Sequence, residues 1–345
     1  MKKMEFGLYS LGDYVFDAKS GKKISEQERI ENIIEAAKLA EEYGLDVFSL
    51  GESHQEHFIS QAHTVILAAI ARETKSIRLS SSASIISTSD PVRVYEDFAT
   101  LDILSNGRME IVAGRASRVG LFELLGYDLR DYEELFEEKF ELLLKLFKED
   151  RITWNGKFRA PLNNAVLYPK PIQNEFPIWR AVGGTVSSAI MAGRQGVSMT
   201  LATLAGPVMY FNQTVQAYRK FFHDNHPGRE PRLAIDTFLY VDKTDEEAFK
   251  TYYQYANHSL KMANGTGLRK ESYMNVLDVR DVMLVGSVQT IINKIVYQKR
   301  VYNHERHLFQ IDLGGMPFNE VKRMIKIIGE EIIPGVNKIL SEDEE

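Results

Sequence analysis

Ser105-Asn-Gly-Arg-Met-Glu-Ile-Val-Ala-Gly-Arg-Ala116 carries the chain out of a helix, through a turn and along a strand. Asn106-Gly107 stops the helix, because glycine takes the left-handed backbone that a helix end requires. Met109–Ala113 is a short apolar run of the kind buried within a sheet. Gly114 and Arg115 then stand at the C-terminal end of that strand. In parallel α/β folds this end carries the site, so an arginine there points to an anion such as a phosphate. The competing reading is a structural ion pair.

The same pattern recurs along the chain. Strands are expected at Met4–Leu8, Leu45–Leu50, Ile77–Ser82, Met109–Ala113, Phe176–Val182, Val197–Ala202, Leu233–Val241 and Leu308–Leu313. Most are short, apolar and rich in Val, Ile, Leu or Phe, as strands covered on both faces should be. Amphipathic segments separate them. Glu26–Tyr43 places Ile30, Ile33, Ile34, Ala37 and Ala40 on one stripe, and Gly44 follows as a cap. Helices are also expected at Ala62–Thr74, Pro91–Leu104, Tyr132–Phe147, Ser187–Arg194, Pro207–Phe222, Asp245–Met262, Ser287–Tyr302 and Phe318–Ile333. Strand-then-helix alternation of this kind predicts an α/β fold: a single (β/α)8 TIM barrel.

Such a barrel needs about 250 residues. The 345 present leave room for two insertions within one domain spanning 1–345. The first, about 148–175, follows strand 4 and helix 4. It contains Trp154-Asn155-Gly156-Lys157, a hairpin-like signal, and then several prolines. The second, about 264–283, follows strand 7 and helix 7. Gly265 and Gly267 break the preceding helix there, and a charged stretch follows, so this segment is expected to be a mobile lid.

With 44% hydrophobic residues the chain can bury one large core. A net charge of −6 argues against a nucleic-acid or anionic-membrane surface. No cysteine is present, which excludes disulfides, thiolate metal sites and cysteine nucleophiles. Met1-Lys-Lys-Met is followed at once by Glu5, unlike a signal peptide, so a cytoplasmic protein is expected.

Three segments could carry chemistry. Glu52-Ser-His-Gln-Glu-His57 follows the second strand, where carboxylate and imidazole can move protons. His54 and His57 lack the spacing of a zinc helix, so a polar loop is favoured over a metal site. Ser80–Ser84 ends the third strand with small residues that let something flat lie close to the backbone. Val182-Gly183-Gly184-Thr185, with Ser187 and Ser188 just beyond, places glycines and hydroxyls at a helix start, an anion nest. Paired with Arg115, this nest could hold the phosphate of a cofactor.

Several motifs together carry a resemblance. They include Glu52-Ser-His54, Asp90–Asp97, Ala99–Asp102, Leu104–Arg108, Ala113–Arg115, Pro169–Gln173, Pro177–Trp179, Ala192–Gly196 and Gly314–Pro317. With them the chain, from Met4 to Pro334, resembles the bacterial-luciferase-like, flavin-dependent monooxygenase family. The resemblance implies a barrel that binds FMN, with reduced FMN supplied by a separate flavin reductase. It implies oxygen chemistry on a small organic substrate, and a homodimer formed through helices within Ala62–Leu104. By position, Gly114 and Arg115 match the family's phosphate-binding strand end. Gly183, Gly184, Thr185 and Ser188 fall in its phosphate-contacting segment. Ser82-Ala83 falls where the family often has a cis, non-prolyl peptide behind the flavin ring. Asp102 and Arg108 read as scaffold.

Ser53 stands where the family often has the first histidine of Glu-His-His, the one tied to catalysis in luciferases. An alkyl hydroxyl cannot carry a proton near neutral pH as imidazole can. Proton handling therefore falls to His54, to Glu52 or to water. Three functions follow from the resemblance: an FMN-dependent monooxygenase, a deazaflavin-dependent hydride-transfer enzyme, or a non-catalytic flavin-binding protein. The substrate is expected over the ring, near Tyr9, Ser10, Tyr14, Phe58 and His63.

Overall fold

The computed structural model describes residues 4–116 and 120–343. Eight strands carry the architecture: β1 (Glu5–Ser10), β2 (Val47–Leu50), β3 (Arg78–Ser81), β4 (Met109–Gly114), β5 (Ile178–Val182), β6 (Ser198–Ala202), β7 (Leu233–Val241) and β8 (Arg306–Gln310). Each pairs in parallel with the next, and β8 returns to β1. The sheet is therefore a closed (β/α)8 barrel, as the alternating pattern predicts.

Helices α1 (Glu26–Glu42), α2 (His63–Glu73), α3 (Pro91–Leu104), α4 (Tyr132–Lys148), α5 (Val186–Gln195), α6 (Val208–Asn225), α7 (Asp245–Asn264), α8 (Val288–Tyr302) and α9 (Phe318–Ile327) follow in order. Outward strand residues such as Phe48, Leu79, Ile111 and Leu201 pack with helix residues such as Ile33, Ile70 and Val215 in the main core.

The turn at Asn106-Gly107 forms as its residues dictate. Both take positive φ, 58° and 79°. Arg108 beside them donates to the carbonyls of Ser105, Ala71, Thr74 and Ile77, which ties α2 and α3 to β3. Asp102 accepts from the amides of Ile172 and Gln173 at 2.8 and 3.0 Å. Both residues are scaffold.

The N-terminal end of the barrel is closed by charge. Arg306 reaches Glu110 at 2.6 Å and Glu5 at 2.8 Å. Trp179 Nε1 donates to Glu110 at 3.0 Å, and the Arg306 guanidinium sits 4.7 Å from the Trp179 ring centre. Burial alone would raise the Glu110 carboxyl; Arg306, Arg78 and Arg232 hold it below its usual value. This polar register explains why β8 runs Arg306–Gln310 rather than the expected Leu308–Leu313. Leu313–Gly315 is instead a 3-10 turn.

The first insertion is an antiparallel pair, Ile152–Trp154 with Leu162–Ala165. Asn155-Gly156 lies in a longer loop than a two-residue hairpin. The amides of Lys157, Phe158 and Arg159 converge on the Glu138 carboxylate of α4 and set its path. The second excursion is larger than expected. Ring helix seven is α8, packed between α6 and the terminal helix Ile333–Glu342, whereas α7 packs over the Leu313–Gly315 turn. Within 264–283, Leu268, Tyr273 and Val276 are buried in the main core. Tyr273 donates to the Phe249 carbonyl at 2.9 Å. Lys294 donates to the carbonyls of Val276 and Asp278 at 2.5 and 2.9 Å. The segment expected to be a lid is thus anchored by three buried side chains, with exposed residues between them.

Candidate active site

A cavity of about 630 Å³ opens among the C-terminal strand ends. Its wall includes Glu52, Ser53, His54, Ser82, Ala83, Gly114, Arg115, Gly183 and Thr185, so segments far apart in sequence meet there.

One wall is bare backbone. The Ser82–Ala83 peptide is cis. Ser82 N donates to Leu50 O at 3.1 Å, and Glu52 N donates to Ala83 O at 3.0 Å. Glycines flank this segment because nothing larger fits. A Cβ at Gly51 would meet Ser82 O at 2.3 Å, and one at Gly114 would meet Ala83 Cβ at 2.8 Å. The two glycines thus let neighbouring backbone pack closely against Ser82-Ala83, which lines the cavity.

A second side is an anion pole. Thr185 caps α5 without spending its hydroxyl on a capping bond. A Cβ at Gly183 would meet nothing within 4 Å, so the backbone there is open to the cavity. The first amides of α5 lack intrahelical partners and favour negative charge. Arg115 lines the same cavity and is bonded to Glu133.

Two expected members are displaced. Ser188 is buried beneath the pole, with Oγ 3.5 Å from Arg180 Nη2, because its position in the first turn of α5 faces the barrel wall. Gly184 does not line the cavity. Its φ of 97° turns the chain into α5, and its carbonyl accepts from Thr214 Oγ1 at 3.0 Å.

The third feature is a carboxylate held between imidazoles. Glu52 Oε2 accepts from Ile85 N at 2.7 Å, and Oε1 lies 2.7 Å from His54 Nε2. A carboxylate oxygen only accepts, so opposite the Glu52 carboxylate His54 Nε2 is the donor in that contact. His54 Nδ1 is then the nitrogen that can exchange a proton. His63 sits 3.8 Å from Glu52 on the other side and 2.6 Å from Ser84 Oγ. Burial lowers its pKa, against the opposing pull of Glu52. Ser53 Oγ donates to Gln55 Oε1 at 2.9 Å, so it orders the loop.

Of the expected substrate contacts, Tyr9 lines the cavity. Ser10 bonds Asp312 instead, and His63 serves Ser84 and Glu52. Tyr14 and Phe58 lie outside the lining, and so does the whole of 264–283 among the described residues; Ser259 and Leu260 of α7 are part of it. Among the described residues no group of three or more His, Cys, Asp or Glu side chains could hold a metal ion. Among the same residues no helix is long and apolar enough to cross a membrane.

The sequence reading did not anticipate the polar floor: Asp13, Thr200, Asp236 and Gln310. Burial raises Asp13 to about 6 and Asp236 to about 7. Asp236 did leave a signal. It is the lone charge in Leu-Ala-Ile-Asp-Thr-Phe-Leu-Tyr-Val, a strand buried along its whole length. Such a carboxylate must face either a partner or a cavity.

With this geometry in hand, comparison with known proteins gives a consistent family. The chain belongs to the luciferase-like monooxygenase family, whose sequence profile matches residues 4–304. Uncharacterized protein y4vJ of Sinorhizobium fredii is 23% identical over 99% of this chain and 100% of its own. N-acetyl-S-alkylcysteine monooxygenase of Bacillus subtilis is 28% identical over 64% of each chain. Among solved structures, monooxygenase RslO1 of Streptomyces bottropensis superposes with a TM-score of 0.84, at 23% identity over 96% of this chain and 99% of that one. The oxygenating constituent of 3,6-diketocamphane monooxygenase of Pseudomonas putida, in complex with FMN, gives 0.77 at 17% identity over 96% and 98%. An F420-dependent secondary alcohol dehydrogenase gives 0.72 at 19% identity over 97% and 99%. These structural likenesses show the fold.

Proposed function

We propose that this chain is an FMN-dependent monooxygenase of the two-component type, acting with reduced flavin and oxygen on a small organic substrate. The observation that carries the reading is convergence on one cavity. Arg115, Gly183 and Thr185 form an anion pole, Ser82-Ala83 forms a flat wall, and the Glu52–His54 pair stands beside that wall. These features fit a flavin mononucleotide: a terminal phosphate at the pole and a planar ring against cleared backbone. Reduced FMN, when bound, supplies the electrons that activate oxygen.

The chain's own residues would do the rest. Arg115, Thr185 and the first amides of α5 would hold the phosphate. Gly51 and Gly114 give the Ser82-Ala83 segment the room it occupies. Glu52 fixes the His54 tautomer, and His54 would exchange a proton through Nδ1. The reading includes a flavin reductase partner, a homodimer and a cytoplasmic location. Val65 of α2 and Ile103 of α3 are exposed apolar side chains on the helices expected to form the dimer face.

Reconstitution tests the proposal. FMN and an F420-type deazaflavin are titrated separately, and turnover is then screened with a flavin reductase, NADH and oxygen. Tight FMN binding with oxygen-dependent product supports the monooxygenase. Preference for the deazaflavin with oxygen-independent turnover supports hydride transfer. FMN binding with no turnover across a broad screen supports a flavin-binding protein.

A further inference from the structure

The floor of the cavity has a chemistry that the proposed reaction leaves unused. Thr200 of β6, Asp236 of β7 and Gln310 of β8 meet there. Ala202 is level with Asp236, and Asp236 is level with Leu308. Thr200 and Gln310 each lie two residues from those levels, so all three side chains share the inner face. Thr200 Oγ1 donates to Asp236 Oδ1 at 2.9 Å, and Oδ2 takes no hydrogen bond among the described residues.

Gln310 is 1% exposed. Its Nε2 points to Asp13 Oδ1 at 3.5 Å, and its Oε1 has no partner among the described residues. The amide orientation follows from chemistry, since the reverse would set its oxygen against a carboxylate. Asp13 itself accepts from Ser259 Oγ at 2.8 Å and from Gly314 N at 3.2 Å. The nearby cation, Arg306, is spent on Glu110 and Glu5. The floor thus presents acceptors in excess of donors, and buried acceptors cost free energy until a donor reaches them.

We propose that Asp236 and Gln310 form a subsite that accepts hydrogen bonds from N–H groups of a bound small molecule, of amide, imide or amine type. The proposal rests on the reading of this cavity as the flavin and substrate site. The N–H can come from the imide edge of the flavin ring or from a nitrogen-bearing substrate, and the experiment separates these sources.

Native protein, Asp236→Asn and Gln310→Met are titrated by calorimetry at about pH 8, where the Asp236 carboxyl is ionised and only accepts, with circular dichroism to confirm folding. Asparagine keeps the shape and the Thr200 contact but turns one acceptor into a donor. Methionine removes Oε1 and keeps the length. The probes are lumichrome, which has the imide edge but neither ribityl chain nor phosphate, and benzylamine. At least one probe should bind native protein and lose about tenfold to a hundredfold in Asp236→Asn, with a smaller loss in Gln310→Met. Sensitivity confined to lumichrome assigns the ring edge; sensitivity confined to benzylamine assigns the substrate. Failure of both probes to bind native protein, or equal affinity in all three proteins, overturns the subsite. Should Asp236→Asn misfold, Gln310→Met decides alone. FMN titration of native protein is read separately. Loss of FMN binding with probe binding kept overturns the cofactor reading and leaves the subsite standing.

Discussion

Arg115 in the cavity wall is bonded to Glu133 in the first turn of α4, so the candidate phosphate ligand is already engaged by a carboxylate. The two partners differ in setting. The Arg115 side chain is 15% exposed and that of Glu133 is 66% exposed. A pair with one solvated member contributes about 0.2–1 kcal/mol. The Arg115 guanidinium is also held 5.5 Å from the Phe136 ring centre, so it would keep its place without the carboxylate. Glu133→Gln should therefore raise FMN affinity by up to about fivefold. Flavin fluorescence titration measures this; weaker binding in the variant would show that Glu133 positions Arg115 rather than competing for it.

His54 is expected to carry the proton that the reaction moves. His54→Ala should cut turnover by about a hundredfold or more while FMN affinity stays near native. Glu52→Gln should act in the same direction by losing the fixed tautomer. Ser53→Ala should cost far less, because its hydroxyl only bonds Gln55. Steady-state kinetics on a substrate from the screen decide it; native-like turnover in His54→Ala would return that residue to the scaffold.

The charged plug makes a stability prediction. Arg306→Met leaves Glu110 buried without its main partner, which should cost about 3–5 kcal/mol. Urea denaturation reads the change. Replacing both residues by apolar ones should recover part of the loss, and a single variant as stable as native would contradict the assignment.

Asp236 gives a pH dependence with a defined sign. Burial raises its carboxyl to about 7 in the folded protein, against an ordinary value of 3.8. Between those values the folded state holds a proton that the unfolded state has released. This group's contribution is thus complete below about pH 4 and is lost as pH rises towards about 7. Asp236→Asn lacks the effect. Its stability relative to native should rise by about 1.4 kcal/mol per pH unit across that window and then level off. Parallel denaturation profiles for the two proteins would contradict it.

The barrel was legible because its strands are apolar runs and its caps follow local rules. The helix expected from Pro91 starts there, with Asp90 accepting from Val92 N at 2.8 Å. Cavity-lining residues at strand ends, such as Arg115 and Glu52, were legible because parallel barrels open their strand ends there. Ser188 was misplaced because sequence adjacency to a glycine nest does not give helix phase. Asp13 and Gln310 escaped notice because their meaning lies in neighbours hundreds of positions apart, Ser259 for one and Asp13 itself for the other. In the insertion around 264–283 the glycines and charge stood out, whereas the anchoring by Tyr273 and Val276 was not legible because it depends on contacts with distant core residues.

The most direct test of the central claim is equilibrium binding of FMN and riboflavin to native protein and to Arg115→Ala. If Arg115 and the α5 amides hold a phosphate, native protein should prefer FMN over riboflavin. Arg115→Ala should then lose FMN affinity by about tenfold to a hundredfold, a charge-assisted contact being worth about 1.5–3 kcal/mol, and should lose little for riboflavin. Equal affinity of native protein for FMN and riboflavin would contradict the phosphate pole and, with it, the cofactor assignment.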